Sequence, residues 1–358
     1  MKTNKKTLKK ILIIGSDGYI GSLLINYLKN KKFNITTLDT GYFRDGFIDE
    51  ATNSKINIDV RKYDLSNLKK FNSVIFLAAN QNDPGGKINS KKFYDISRKF
   101  TLKVARKCKE YNVKFVFPSS CSVYGYGKKK FNEKTKTNPL TLYSKNKIEI
   151  ERGLSKIAGK NFSPVALRFS TIFGFSSRIR FDLVINMFCL HAITSKKIYL
   201  NSNGLSWRPH LSVEDACKAI YLVLNKTFNN GQLNVFNVGH NSQNMQIIKV
   251  AKMIASMTNS KLVFKLNDKN TFVSDKNVKS GIDKRSYVVD FSKFLKLFPN
   301  FLKKNSIEKE IKILIQKLKK LKINQNHITN YRFYRLQKIE YLINTKKINN
   351  NLYWIKSK

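Results

Sequence analysis

Tyr143 and Lys147, in the run Tyr143-Ser-Lys-Asn-Lys147, are the residues of this chain whose types and spacing point most directly to chemistry. On a helix, two side chains four apart share one face. A phenol is a poor base at its ordinary pKa of about 10. A neighbouring ammonium favours the phenolate and lowers that value. Upstream, Lys114-Phe-Val-Phe-Pro-Ser-Ser-Cys-Ser-Val-Tyr-Gly125 reads as a strand that opens into a polar turn. It presents Ser119, Ser120, Ser122 and Tyr124 where the strand ends. A serine hydroxyl there can orient a substrate alcohol or share its proton. The trio suits removal of an alcohol proton while hydride leaves for a nicotinamide. A Tyr-x-x-x-Lys pair is common on surface helices, so its weight comes from the elements that hold it.

Those elements begin with Ile11-Leu-Ile-Ile-Gly-Ser-Asp-Gly-Tyr-Ile-Gly21. A short aliphatic run reads as a buried parallel strand. Gly15, Gly18 and Gly21 follow at Gly-x-x-Gly-x-x-Gly spacing, with Tyr19 and Ile20 between them and a helix-like Ser22–Leu28 after them. Such a turn brings backbone amides and a helix N-terminus to a pyrophosphate. Phe33–Leu38 reads as the next strand, and Asp39 follows, roughly twenty residues past the glycines, where an acid can accept from the adenosine ribose hydroxyls. An acid there favours NAD over NADP, and nearby Arg44 can soften that preference. Ile56–Arg61 reads as a strand carrying Asp59, positioned for the adenine amino group, with Val60 against the ring. Val74–Ala79 reads as another buried strand, whose Leu77, Ala78 and Ala79 let a cofactor backbone lie close. Strands alternating with helices predict an α/β fold with a doubly wound parallel sheet, a Rossmann fold.

Composition narrows the class. At 358 residues the chain holds one large domain or two coupled ones. The formal net charge of +45 can signal nucleic acid, anionic membrane or acidic ligands. The excess is mostly lysine spread along the whole chain beside abundant Asn, Ile, Phe and Tyr, the residues of A/T-rich codons. No zinc-finger, homeodomain or RNA-binding signature accompanies it, so no specific nucleic-acid partner is expected. Cys108, Cys121, Cys189 and Cys217 lack any Cys-x-x-Cys pairing, which suits a reduced, cytoplasmic enzyme. No metal site is expected. The apolar run after Lys5–Lys10 is too short for a signal peptide, and no apolar run is long enough for a transmembrane helix.

Taken together, these motifs resemble the extended short-chain dehydrogenase/reductases, specifically the NAD-dependent sugar-nucleotide epimerase/dehydratase family. The resemblance implies NAD as cofactor and a nucleotide-diphosphate sugar as substrate. It places Gly15–Gly21 at the phosphate loop, Asp59-Val-Arg61 at the adenine and Leu77-Ala-Ala79 in the fourth-strand motif. Ser120, Tyr143 and Lys147 take the catalytic roles, with Ser122 an auxiliary hydroxyl and Tyr124 beside the substrate. Ser177–Asn186 resembles the segment covering the nucleotide and diphosphate, which makes Arg178, Asp182 and Asn186 substrate candidates. Arg208, in Trp207-Arg-Pro-His-Leu-Ser-Val-Glu-Asp215, resembles the family's diphosphate arginine, and Arg285 is a second candidate. Asn234–Gly239 resembles a strand returning to the sheet. Ser97, Thr171 and Ser212 depart from the family's more usual residues. Implied boundaries are 1–175 for the NAD-binding domain, 176–300 for the substrate domain and 301–358 for a basic helical extension. The resemblance also implies a homodimer through a four-helix interface.

The residues after Ser120 bear on the reaction. Dehydratases of the family carry an Asp-Glu pair there, and Cys121 and Ser122 cannot do carboxylate work. Cys121 lies one place away from the cysteine of the ketoreductase branch, and strands alternate faces. The expected reaction is therefore reversible oxidation at sugar C4, a UDP-hexose-type 4-epimerase. A 4-ketoreductase or dehydrogenase, a 4,6-dehydratase and a non-catalytic NAD-binding scaffold are the alternatives. In the tail, Ile307, Ile311, Leu314, Leu318 and Leu321 fall on one helical face opposite lysines. That face can pack on its own domain or a dimer mate, the favoured reading, or lie on an anionic membrane. Tyr331–Leu342 and Asn351–Trp354 read as further ordered pieces.

Overall fold

A computed structural model describes residues 8–49, 56–79, 90–265, 278–279, 282–283, 285–301 and 306–355. The first half runs β1 (Lys9–Ile14), α1 (Tyr19–Lys29), β2 (Phe33–Asp39), β3 (Ile56–Asn57), β4 (Ser73–Phe76), α2 (Ser90–Glu110), β5 (Lys114–Ser120), β6 (Lys130–Phe131), α3 (Leu142–Ile157) and β7 (Val165–Phe169). It continues through β8 (Thr171–Phe173), α4 (Val184–Ser195), β9 (Lys197–Leu200), β10 (Trp207–Ser212), α5 (Val213–Asn225), β11 (Asn234–Val238), β12 (Asn244–Gln246), α6 (Ile247–Thr258) and β13 (Lys261–Phe264). Then come β14 (Val278–Lys279), β15 (Ile282–Asp283), β16 (Val288–Val289), α7 (Ser292–Leu297), α8 (Ile307–Lys320), α9 (Asn326–Thr329) and α10 (Arg335–Asn344).

Seven strands form one parallel sheet in the order β11-β7-β5-β4-β1-β2-β3. The aliphatic run Ile11–Ile14 is buried on both faces at its centre, as a parallel strand covered by helices requires. One apolar layer joins β1, β7 and β11 to α1 and α5. The opposite layer joins β1, β4 and β5 to residues of α2 and α3. Chain order reverses between β1 and β4, so their carboxyl ends open a crevice.

Two expected strands end early, each for a local reason. Ile56–Arg61 pairs only at Ile56 and Asn57, because the Asp59 side chain accepts from its own chain at Arg61 N and turns the backbone. Beyond Phe76 the chain leaves the ladder because the amides of Leu77 and Ala78 both donate to the Ile14 carbonyl. Asn234–Val238 returns to the sheet beside β7 as anticipated. The apolar face of α8 is buried against α4 and α6, in a cluster with Ile185, Leu190 and Ile254, so it is covered by the protein's own body. Among the described residues no helix is long and apolar enough to cross a membrane.

Candidate active site

A cavity of about 500 Å³ runs past the carboxyl ends of β1, β2, β4, β5 and β7, where open parallel sheets bind ligands. Gly15, Gly18, Tyr19, Ile20, Gly21, Asp39, Val60, Leu77, Ala78 and Ala79 line one stretch of it. Gly15 has φ +91°, and a Cβ there would lie 2.4 Å from the Ala78 amide nitrogen. Only glycine lets the ends of β1 and β4 touch in this way. Gly18 begins α1 with no side-chain cap, which leaves its first amides for an anion. Asp39 accepts from Asp17 N at 3.0 Å and Gly41 N at 2.7 Å. Burial, then the neighbouring Asp17 charge, push its carboxyl up to about 6. Arg44 does not reach Asp39; it grips Asp17 at 2.6 Å. A close-approach glycine turn, an uncapped helix start and a buried acid at the end of β2 fit the diphosphate and ribose of NAD. Asp59 is the exception: its carboxylate is held by Arg61, so Val60 and Arg61, not Asp59, face the cavity.

The catalytic candidates meet on the next wall. Thr141 and Ser144 cap α3 reciprocally, which fixes its first turn and Tyr143 with it. Lys147, one turn on, is 1% exposed. Its Nζ donates to the Pro118 carbonyl at 2.6 Å and sits 5.7 Å from the Tyr143 ring centre. Burial pulls its pKa down to about 7, the Glu151 carboxylate works against that fall and Arg335 adds to it. Ser120 Oγ accepts from Ser122 N at 3.2 Å, leaving its hydroxyl proton to donate. Ser122 also lines the cavity, its hydroxyl without a partner among the described residues. Cys121 points away, fully buried, its thiol donating to the Arg168 carbonyl.

Glu151, missed in the sequence, extends the Tyr143–Lys147 stripe by one more turn. Arg168 binds it through both carboxylate oxygens, with Nη2 to Oε2 at 2.6 Å, and Ser119 also donates to it. Arg168 reaches on to the Tyr124 hydroxyl at 2.9 Å, which contacts Asn237. Tyr124 is thereby consumed behind the strand end and does not line the cavity, contrary to its expected place beside substrate.

At the far end, Arg208 and Arg285 converge on Asp283, with Arg208 Nη2 at 2.8 Å and Arg285 Nε at 3.0 Å. Asp182 also lines the cavity, held by Arg180. Two other candidates fail geometrically. Arg178 is buried and donates to the carbonyls of Phe43, Ile179 and Arg332, so it ties the tail to the body. Asn186 is fully buried, spanning Gly174 N, Tyr19 Oη and the Arg180 carbonyl. Near this end His191 and Tyr199 pack edge to face at the cavity wall. Ser97 and Thr171 line the cavity, and Ser212 serves as the N-cap of α5.

Residues 11–239 match the sequence model of the NAD dependent epimerase/dehydratase family. An uncharacterized UDP-glucose epimerase of Bacillus subtilis is 28% identical over 279 residues, covering 73% of this chain and 85% of that protein. A UDP-glucose 4-epimerase of Lactobacillus helveticus is 27% identical over 69% of this chain and 82% of its own length. Among solved structures, UDP-glucuronic acid 4-epimerase from Bacillus cereus, in complex with UDP-glucuronic acid and NAD, superposes with TM-score 0.70 at 23% identity, over 87% of this chain and 99% of that one. The fold is shared also with a dTDP-glucose 4,6-dehydratase of Bacillus anthracis, TM-score 0.66 at 21% identity, over 92% of this chain and 99% of that one. With the glycine turn, the buried acid and Tyr143 on one cavity and Lys147 buried behind the tyrosine, the chain belongs to the NAD dependent epimerase/dehydratase family and is an NAD-dependent enzyme.

Proposed function

We propose that this enzyme is a nucleotide-sugar 4-epimerase of the UDP-hexose type. The observation that supports this reading is that Ser120 and Tyr143 share one cavity wall, with the Lys147 ammonium buried behind the Tyr143 ring, while the next strand-end residues are Cys121 and Ser122. That arrangement offers one proton acceptor for an alcohol and no adjacent carboxylate pair for dehydration. Among the described residues, the acids lining the cavity are Asp39, Asp182 and Asp283, each already engaged by amides or arginines.

In this reading Ser120 donates to the sugar O4 and aligns it. Tyr143, as phenolate beside the Lys147 ammonium, takes the O4 proton. When bound, NAD supplies the acceptor and later the donor of the C4 hydride. Arg208 and Arg285 hold the diphosphate, so the 4-keto sugar can turn about its linkage and present its other face. Tyr143 then returns the proton, and no net redox change remains. Arginine suits the diphosphate because its planar fork makes paired hydrogen bonds.

An NMR time course with NAD and a panel of UDP-, dTDP-, GDP- and CDP-sugars tests the proposal. A C4 epimer without net NADH change supports it. A stoichiometric NADH change would replace it with a reductase or dehydrogenase, and a 4-keto-6-deoxy product with a dehydratase. No turnover with NAD bound would favour a scaffold role. We further place the active enzyme as a homodimer paired through four helices, testable by sedimentation.

A further inference from the structure

We propose that the C-terminal segment 331–354 is a wall of the cofactor cavity, and that its Arg335 supplies the side-chain cation for the dinucleotide's diphosphate. The inference rests on this cavity being the NAD site. Five arginines line the cavity. Arg61 holds Asp59, Arg180 holds Asp182, and Arg208 and Arg285 share Asp283. Arg335 has no carboxylate within ion-pair distance among the described residues.

Arg335 is placed where a diphosphate belongs. Its Nη2 donates to the Ala79 carbonyl at 3.3 Å, and its guanidinium stacks 4.8 Å from the Phe43 ring centre. Ala79 adjoins Ala78, the residue that touches Gly15, so the guanidinium lies beside the glycine turn. Burial, then the Arg180 charge, pull its pKa down to about 9. Arg335 is half-buried at the cavity wall, and a guanidinium drawn partly out of water without an acid is unfavourable until an anion joins it. The glycine turn contributes neutral amides, so among the described residues Arg335 is the cation placed at the phosphate end without a carboxylate of its own. The sugar nucleotide's own diphosphate has Arg208 and Arg285 at the far end.

The rest of the segment is fastened to the adenosine end. Arg61 donates to the carbonyls of Asn351 and Leu352 at 2.7 and 2.6 Å and stacks 3.7 Å over the Tyr353 ring. Tyr42 donates to the Leu352 carbonyl, and Trp354 Nε1 to the Thr40 carbonyl at 2.7 Å. Leu352 thereby joins Val60 in the cavity lining.

The test follows exchange of bound NAD in the full-length protein as isolated, with ADP, adenosine and UDP as competitors. In Arg335→Gln, NAD release should quicken by at least about tenfold and ADP should compete at least about tenfold more weakly, as expected for a lost charged hydrogen bond. Adenosine and UDP should compete as before, and Arg335→Lys should recover part of the loss. Unchanged ADP competition overturns the Arg335 assignment while the NAD reading stands. A loss confined to UDP overturns it by moving the arginine to the substrate. Wild-type protein that holds neither NAD nor ADP overturns the cofactor reading itself. Should Arg335→Gln not fold, amide exchange over α10 in the wild type decides: slowing by ADP but not adenosine supports the proposal, and no slowing overturns it.

Discussion

Replacing Glu151 by Gln should disable the enzyme most where the pH is high. Glu151 lies one turn beyond Lys147 on the same face of α3, and its charge holds the lysine pKa up against burial. Two unit charges about 6 Å apart interact by roughly 3 kcal/mol at an effective dielectric near 20. Removing one lowers the lysine pKa, now about 7, by about one to two pH units. At pH 7.5 the ammonium fraction then falls from roughly a quarter to roughly 3% or less, and turnover with it by about ten- to a hundredfold. At pH 5.5 the same change costs only up to a few-fold, because roughly a quarter to three-quarters of the lysine remains charged. The assay is the pH–rate profile of wild type and variant on whichever sugar nucleotide the NMR panel identifies. Glu151→Gln also strands the buried Arg168, a loss of about 3–5 kcal/mol in stability. The double variant Glu151→Leu/Arg168→Met removes that cost and should refold well, yet keep the displaced alkaline limb. A ratio of variant to wild-type turnover that is the same at both pH values would refute the electrostatic coupling.

Tyr143→Phe should lower kcat by about 10²- to 10⁴-fold while NAD stays bound, measured by turnover and by cofactor content after denaturation; surviving turnover would dismiss Tyr143 as the base. Asp39 sits at about 6, above the usual carboxylate range, and ribose hydroxyls bond its ionised form best. NAD affinity by calorimetry should therefore rise as pH climbs from about 5 to about 7, and Asp39→Asn should flatten that rise and weaken discrimination against NADP. The exposed faces of α2 and α3 carry Lys99, Lys103, Arg106, Arg152 and Lys156. Pairing two copies there brings like charges together, so sedimentation should show dimerisation strengthening with salt; weakening with salt would place the interface elsewhere.

Local chemistry made much of the site readable in the sequence. The glycine turn, Asp39 and the Tyr143–Lys147 pair each depend on residues within a few positions of one another, and all of them but Lys147, which sits buried behind Tyr143, line the cavity. Interactions between distant segments were not readable. Arg178 has the look of a phosphate ligand, but carbonyls from Phe43 and Arg332 claim its donors, and Tyr124 is claimed by Arg168 from the next strand. Asp59 is kept from the adenine by a nearer neighbour, since Arg61 two residues on takes its carboxylate. Glu151 is legible in the sequence, because it continues the four-residue spacing of Tyr143 and Lys147. Nothing near Arg335 in the chain announces a pocket residue; only the docking of α10 makes it one.

The tail's anchorage also orders events during synthesis. The sheet closes once β11 emerges, at residue 238, and every strand of the nucleotide fold is then available. The cavity is not yet enclosed at that moment, because Thr40, Tyr42 and Arg61 wait for residues more than 280 positions later. Such distant closures form late. A ribosome-bound chain can thus complete its scaffold while the pocket stays open on one side, and the arrival of residues 331–354 is the step that shuts it. Premature termination in this stretch should leave a folded sheet with an unsealed pocket.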